Sequence, residues 1–399
     1  MLIDGSPKHA STDFIPLSVP SISGHEWTYV KECLDTGWVS SVGSYVDRFE
    51  QETAARTGSA FAVATVNGTS ALHTALMVAG VEAEDEVLVS DLTFIAPVNA
   101  IRYLGAHPLL VDAEPTYWQM DPERVKTFLE QDCTASNGVL RNRKTGRRVR
   151  ALLPVDVLGH PVDMDPLQEL ARRFELPLVE DATESLGALY KGRPVGGDAE
   201  LACISFNGNK VITTGGGGMI LSHCEASARR SKYLTTQAKD DPIEFVHGEV
   251  GFNYRMSNVL AAIGCAQLEQ LDTFVEAKRR IAAHYLQALP GIPGITCNQE
   301  APWARSIFWM FTILVDEAAF GMDSRALIRF LDQRKIQARP LWQPMHQSPA
   351  HCASQILGGD ISTRLNRRGV SIPCSVGLSA EHQAIVIEAL RDAQRGGKA

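Results

Sequence analysis

No run of apolar residues in the 399-residue chain reaches the length needed to cross a bilayer. The opening residues, Met1 to Ala10, carry no basic stretch leading into an apolar segment, so no secretory leader is read there. Cysteine occurs eight times, at 33, 133, 203, 224, 265, 297, 352 and 374, without one C-x-x-C pair. Scattered thiols in mostly apolar surroundings predict a reduced, cytoplasmic protein and give no metal-ligand spacing. A basic excess is missing too: 38 Lys and Arg against 46 Asp and Glu leave a net charge of −8, which argues against a general nucleic-acid binder. Internal repeats and low-complexity tracts are absent. Both common mononucleotide motifs fail, since Lys210 is preceded by Gly208-Asn209 and the glycine run 215–218 contains no G-x-G-x-x-G.

What is present is a globular composition, 45% apolar and 21% charged. The length suits a large domain, residues 14–275, followed by a smaller one, 276–399. Short apolar runs alternate with helical patterns from Ala60 onward: AFAVATV (60–66), EVLVS (86–90), HPLLV (107–111), ALLPVDVL (151–158), LPLVE (176–180) and LACIS (201–205). That alternation predicts a mostly parallel sheet with helices on its faces.

The chain is organised around residues 179–219. An apolar strand ends in Asp181, and a carboxylate at the carboxyl end of a strand points into the crevice where α/β folds bind ligands. Lys210 follows among short polar residues, ahead of four glycines. A lysine held among small residues can act as an amine nucleophile. Together they fit pyridoxal phosphate chemistry, with Lys210 forming the Schiff base and Asp181 keeping the pyridine nitrogen protonated. Taken singly, each feature is weaker: Asp181 could be a helix cap and the glycines a turn. Asn67-Gly68-Thr69-Ser70, between a strand and a helix, forms either an anion site on free backbone N–H groups or a simple N-cap.

Three longer stretches carry a resemblance: EDATESLGALYKG (180–192), FNGNKVITTGGGGM (206–219) and GFNYRMSNVLAAIGCAQLEQLD (251–272). They resemble the DegT/DnrJ/EryC1/StrS sugar aminotransferases, and the likeness runs from about Ile15 to about Leu390. The resemblance implies a fold-type I pyridoxal phosphate enzyme: a three-layer α/β/α large domain of seven-stranded type and a smaller C-terminal α/β domain. It implies Lys210 as the Schiff-base lysine and Asp181 as the partner of the pyridine nitrogen. It places Gly68, Thr69, Ser70 and Ser205 on the cofactor phosphate, Phe94 on the ring face and Glu184 beside the ring hydroxyl. Asn253 would reach the cofactor phosphate of the other subunit, which implies a homodimer with shared active sites. Trp38 and Ser40 lie in a segment that the family keeps near the site, and Arg339, Trp342 and His346 in a loop at its mouth. The bland alternatives are a core Phe94, a turn that buries Trp38, a capping Asn253 and a domain interface at 339–346.

By the same resemblance, the reaction is amino transfer from L-glutamate to C4 of a 4-keto-6-deoxy nucleotide sugar. The lysine, where dehydratase-like members have His, argues against a lyase, and the complete Asp181–Ser205–Lys210 set argues against a non-catalytic regulator. A UDP-linked 2-acetamido sugar is the first expectation for the substrate. A GDP-linked perosamine-type sugar is the alternative, and a 3-keto sugar stands further off. The basic insertion 137–150 reads either as a solvated hairpin, the favoured reading, or as a patch for a diphosphate. It also resembles an insertion in the bacillosamine and legionaminic acid branch. Asp156 stands where the family commonly has His. Residues 1–13 read as a loose arm, 232–241 as a mobile loop and 391–399 as a frayed tail.

Overall fold

Apolar residues alternate along the central strands, and the alternation sorts them onto two faces. Val63, Val87, Val89, Leu110, Leu153, Cys203 and Ile220 pack under the helices Gly68–Val78, Ala96–Tyr103 and Glu225–Thr235. Ala64, Ala202, Ile204, Met219 and Leu221 face the opposite way, toward Ser44–Thr57 and Asn258–Leu268. Leu88, Leu109, Val111 and Leu152 continue that second face under Met164–Arg173. A period of two with both sets buried requires cover on both sides. The computed structural model therefore shows three layers, and it describes residues 14–136, 138–241 and 243–396. The expected arm 1–13 lies outside them.

Across the sheet the strands run Phe61–Thr65, Gly218–Ser222, Leu201–Ser205 and Val179–Asp181, then Val149–Leu153, Glu86–Ser90, His107–Val111 and Gln355–Leu357. Parallel bridges Leu152–Leu178 and Val155–Asp181 join the two halves. Gly218–Ser222 alone runs antiparallel to both of its neighbours, so the mostly parallel sheet is present. Its antiparallel strand lay hidden behind the glycine run. Gly218 must be glycine, because a Cβ there would stand 2.5 Å from the Asn67 carbonyl.

A second sheet, antiparallel throughout, orders Ile295–Cys297, Phe311–Val315, Gly369–Ile372 and Arg339–Pro340. Helices Leu271–Ala288, Ser324–Gln333 and Ala380–Gly396 cover it with Ile281, Tyr285, Leu327, Leu331, Val386 and Leu390. The chain does not stay within this unit after residue 276, because Gln355–Leu357 returns to extend the large sheet beside His107–Val111. Asp112 fastens that return. Its fully buried carboxylate accepts from Gly359 N (2.7 Å), Ile361 N (3.1 Å), Ser362 N (2.8 Å) and Ser362 Oγ (2.6 Å).

Two local expectations need correction. Lys232–Thr235 are helical, and the residues after them are tied by bridges Thr236–Asn253 and Lys239–His247, so 232–241 is not a free loop. Of the expected tail 391–399, residues 391–396 continue the helix Ala380–Gly396, and 397–399 lie outside the described residues. Among the described residues, no helix is long and apolar enough to cross a membrane.

Burial alone would raise the Asp112 pKa, but the bonds from Ser362, Gly359 and Ile361 outweigh it and hold the carboxyl below its ordinary value. A depressed folded pKa contributes stability that is present above the unfolded value, ~4, and is lost as pH falls through the folded one. Asp112→Ala is expected to lower stability by about 2–4 kcal/mol. Urea titrations at pH 7 and pH 3 should show the wild-type advantage shrinking at the lower pH.

Candidate functional site

The strands Phe61–Thr65, Val179–Asp181 and Leu201–Ser205 end at a cavity of about 550 Å³, where an open α/β sheet binds its ligand. Asp181, Glu184, Ser205 and Lys210 line it, with Gly68 and Thr69 on one side and Phe94 on another.

The lysine loop is a closed construction. Phe206 N donates to Gly217 O (2.9 Å), Thr214 N to Phe206 O (3.0 Å) and Lys210 N to Asn207 O (3.0 Å). Thr213 N reaches across to Gln267 Oε1 (3.1 Å) on the helix Asn258–Leu268. These bonds stem from one topological fact: residues 206–217 connect two antiparallel neighbours and need no crossover. Lys210 Nζ stands 3.7 Å from Glu184 Oε1 and 4.2 Å from the centre of the Trp309 ring.

Two carboxylates face this amine with different supports. Asp181 is buried at its strand end and accepts from Thr183 N at 3.1 Å. Burial raises its pKa, while the Thr183 bonds and the charge of Lys210 oppose the rise. Glu184 is pushed up to about 7 by burial, against the pull of Lys210 and of the Leu158 N–H. That N–H is 2.9 Å from Glu184 Oε2 and is aimed there by a left-handed Leu158, φ 62°. A non-glycine residue in that region carries strain of about 1 kcal/mol or more.

On the opposite wall, helix Gly68–Val78 begins with Asn67 capping Ser70 N (2.7 Å). The first N–H groups of a helix have no intrahelical partner and favour an anion. Gly68 leaves room there, since a Cβ would come 2.9 Å from the Ser205 Cβ. A phosphate cradle, a buried carboxylate and a lysine in one cavity make up a donor set that fits pyridoxal phosphate.

The expected site residues are not all brought together. Gly68, Thr69, Phe94, Asp181, Glu184, Ser205, Lys210, Arg339 and Trp342 share the cavity. Ser70 is buried one position behind Thr69 and does not line it. His346 is committed elsewhere: its Nδ1 pairs with buried Asp91 Oδ2 at 2.8 Å and its N–H donates to Asp91 Oδ1 at 2.9 Å, so it pins the loop rather than lining the cavity. Asn253 lines a second cavity of about 870 Å³ with Lys232, Lys239 and Arg255. Trp38 and Ser40 precede the Ser41–Gly43 edge of that second cavity. Asn258 fixes their backbone, donating to Trp38 O (2.8 Å) and Ser40 O (2.6 Å).

The basic insertion is a hairpin, Cys133–Ser136 with Val139–Asn142. Arg148 pairs with Asp85 (2.6 Å) and Glu82 (3.2 Å), and Arg147 with Glu84 (3.3 Å), so the acidic turn 82–86 engages these two arginines of the insertion. His160 is buried, stacked on Tyr117 and bonded to Ala301 N. Trp309, Thr183, Asn207 and Asn209 line the main cavity but were not anticipated. Trp309 sat unmarked inside the apolar run IFWMFTILV, where periodicity gives no sign of an aromatic that faces a ligand.

Residues 20–391 match the DegT/DnrJ/EryC1/StrS aminotransferase family. The chain belongs to that family. It is 38% identical to a GDP-perosamine synthase of Caulobacter vibrioides over 94% of this chain and 97% of that one. A GDP-perosamine synthase of Escherichia coli O157:H7 is 35% identical, with 95% and 98% covered. Among solved structures, DesV of S. venezuelae superposes with a TM-score of 0.83 at 30% identity, covering 93% of this chain and 94% of that one. The chain is a pyridoxal phosphate-dependent sugar aminotransferase of fold type I.

Because Glu184 binds its proton more tightly when folded, it weakens the fold as pH rises from ~4 toward 7. Glu184→Gln removes that contribution. In cofactor-free protein the variant should gain about 3 kcal/mol over wild type between pH 5 and pH 8, read from urea midpoints at the two pH values.

Proposed function

We propose that this aminotransferase moves an amino group from L-glutamate to C4 of GDP-4-keto-6-deoxymannose, working as a homodimer with shared sites. The observation that carries the mechanism is the placement of Lys210 in one cavity with Asp181 and the Gly68–Thr69 turn. The GDP-perosamine synthases at 35–38% identity support the GDP-linked acceptor over the UDP-linked 2-acetamido sugar first expected. Bound pyridoxal phosphate supplies an electron sink next to the carbon that gains or loses nitrogen.

The chain's own residues do the rest. Gly68 and Thr69 N–H groups and the Ser205 hydroxyl would hold the phosphate, and Ser70 closes the turn behind them. Asp181 would keep a proton on the nitrogen of the cofactor ring, and Phe94 would lie against that ring. Glu184 would serve the ring hydroxyl. Lys210 Nζ would hold and move the proton beside the carbon that gains or loses nitrogen. Arg339 and Trp342 border the entrance and receive the sugar nucleotide.

Asn253, Trp38 and Ser40 complete the site of a second copy. Exposed apolar side chains near them support that role: Trp38 is 57% exposed, Val42 66%, Phe245 63% and Val250 80%. A surface this apolar calls for cover.

Protein loaded with pyridoxal phosphate and L-glutamate should convert GDP-4-keto-6-deoxymannose to its 4-amino product, with one 2-oxoglutarate formed per amino sugar. Preference for a UDP-linked 2-acetamido-4-keto sugar would overturn the acceptor, and loss of water without nitrogen transfer would overturn the reaction class. Lys210→Ala is expected to lose about 1,000-fold or more in turnover. Mixing Lys210→Ala and Asn253→Ala subunits should restore activity, up to about a quarter of wild type, through mixed dimers with one intact site. No restoration would mean that Asn253 serves its own subunit.

A further inference from the structure

We propose that Trp309 is the resting platform for the free amino group of Lys210, and that Lys278, buried behind it, is the positioning residue that holds this platform in place. This rests on the reading of Lys210 as the reacting amine. A lysine that leaves its carbon partner during each half-reaction must wait at a fixed point and come back to the same point. The structure supplies one. Lys210 Nζ lies 4.2 Å from the centre of the Trp309 ring, within the range where an aromatic face attracts an ammonium.

The indole cannot turn away from the amine. Its Nε1–H donates to Asn209 O at 2.7 Å, so ring and lysine are tied through the residue before the lysine. Trp342 stacks on it, with centroids 6.3 Å apart and planes at 22°. Gly159 presses on its backbone, where a Cβ would stand 2.8 Å from Trp309 N. The preceding Phe308 is held in the left-handed region at φ 48°.

Lys278 is the feature that no part of the reaction uses. It is 3% exposed on the helix Leu271–Ala288, and its Nζ donates to Trp309 O at 2.8 Å, with Cys374 Sγ at 3.8 Å. Among the described residues its bonds go to Trp309 O and Cys374 Sγ and to no carboxylate, and burial lowers its pKa. A lysine so placed is costly to bury. Its one oxygen partner is the carbonyl of the residue that faces Lys210.

Cofactor-free protein treated with trinitrobenzenesulfonate, with modification of Lys210 followed by peptide mass mapping, tests this directly. Trp309→Leu should label Lys210 about tenfold faster than wild type, and Trp309→Phe, which keeps an aromatic face, should lie close to wild type. Lys278→Met should speed labelling in the same direction, and the double variant Lys278→Met/Trp309→Leu should match Trp309→Leu alone, because Lys278 acts through Trp309. Unchanged labelling in Trp309→Leu, or fully additive effects in the double variant, would overturn the proposal. Should Lys278→Met fail to fold, the Leu and Phe variants at 309 still decide the platform. The readout needs no cofactor, so a different cofactor-bearing lysine would sink the Lys210 mechanism and leave the labelling result standing.

Discussion

The structure depends on a single reversal in an otherwise parallel sheet. Gly218–Ser222 slots antiparallel between Phe61–Thr65 and Leu201–Ser205, and the short return that makes this possible is the loop carrying Lys210. A parallel neighbour would need a long crossover, and the lysine would then sit on a connection free to wander. Here the loop is closed on itself by main-chain bonds and braced by Gln267. Gly218 lets the strand press against the Asn67 turn, so the phosphate-type cradle and the lysine are fixed by the same contact.

Around that frame lie two more buried carboxyls. Asp156 and Glu180 lie beneath the cavity, both fully or nearly fully buried, and burial raises each. Asp156 reaches about 7 and takes bonds from Ser185 Oγ (2.6 Å) and Val162 N (2.9 Å), while Glu180 accepts from Gly196 N (3.1 Å). Two carboxyls this close in a dry interior share a proton more readily than they carry two charges. Asp181 lines the cavity beside Glu184, and the bonds of Thr183 and the charge of Lys210 oppose the rise that burial imposes on it. The departure from His at position 156 has this physical content: a second acid behind the first.

Much of the fold was legible because its signal is local. Strand-length apolar runs, caps such as Asp323 and glycine stops such as Gly37 are each written within a few residues. Asp181 and Lys210 were legible as residue types at strand ends and in a small-residue loop. The rest was set by distant partners. His346 looked like a ligand residue until Asp91, far away in sequence, claimed both its N–H groups. The strand Gln355–Leu357 is three half-buried residues with no period to read, and it exists because Asp112 holds the turn after it. Trp309 became visible only when the second sheet folded back over the lysine loop.

The most direct measurement is borohydride reduction of the pyridoxal phosphate-loaded protein, followed by peptide mapping. The account predicts a pyridoxyl group fixed on Lys210 alone, and none in Lys210→Ala. A pyridoxyl group on another lysine, or its persistence in that variant, would contradict it.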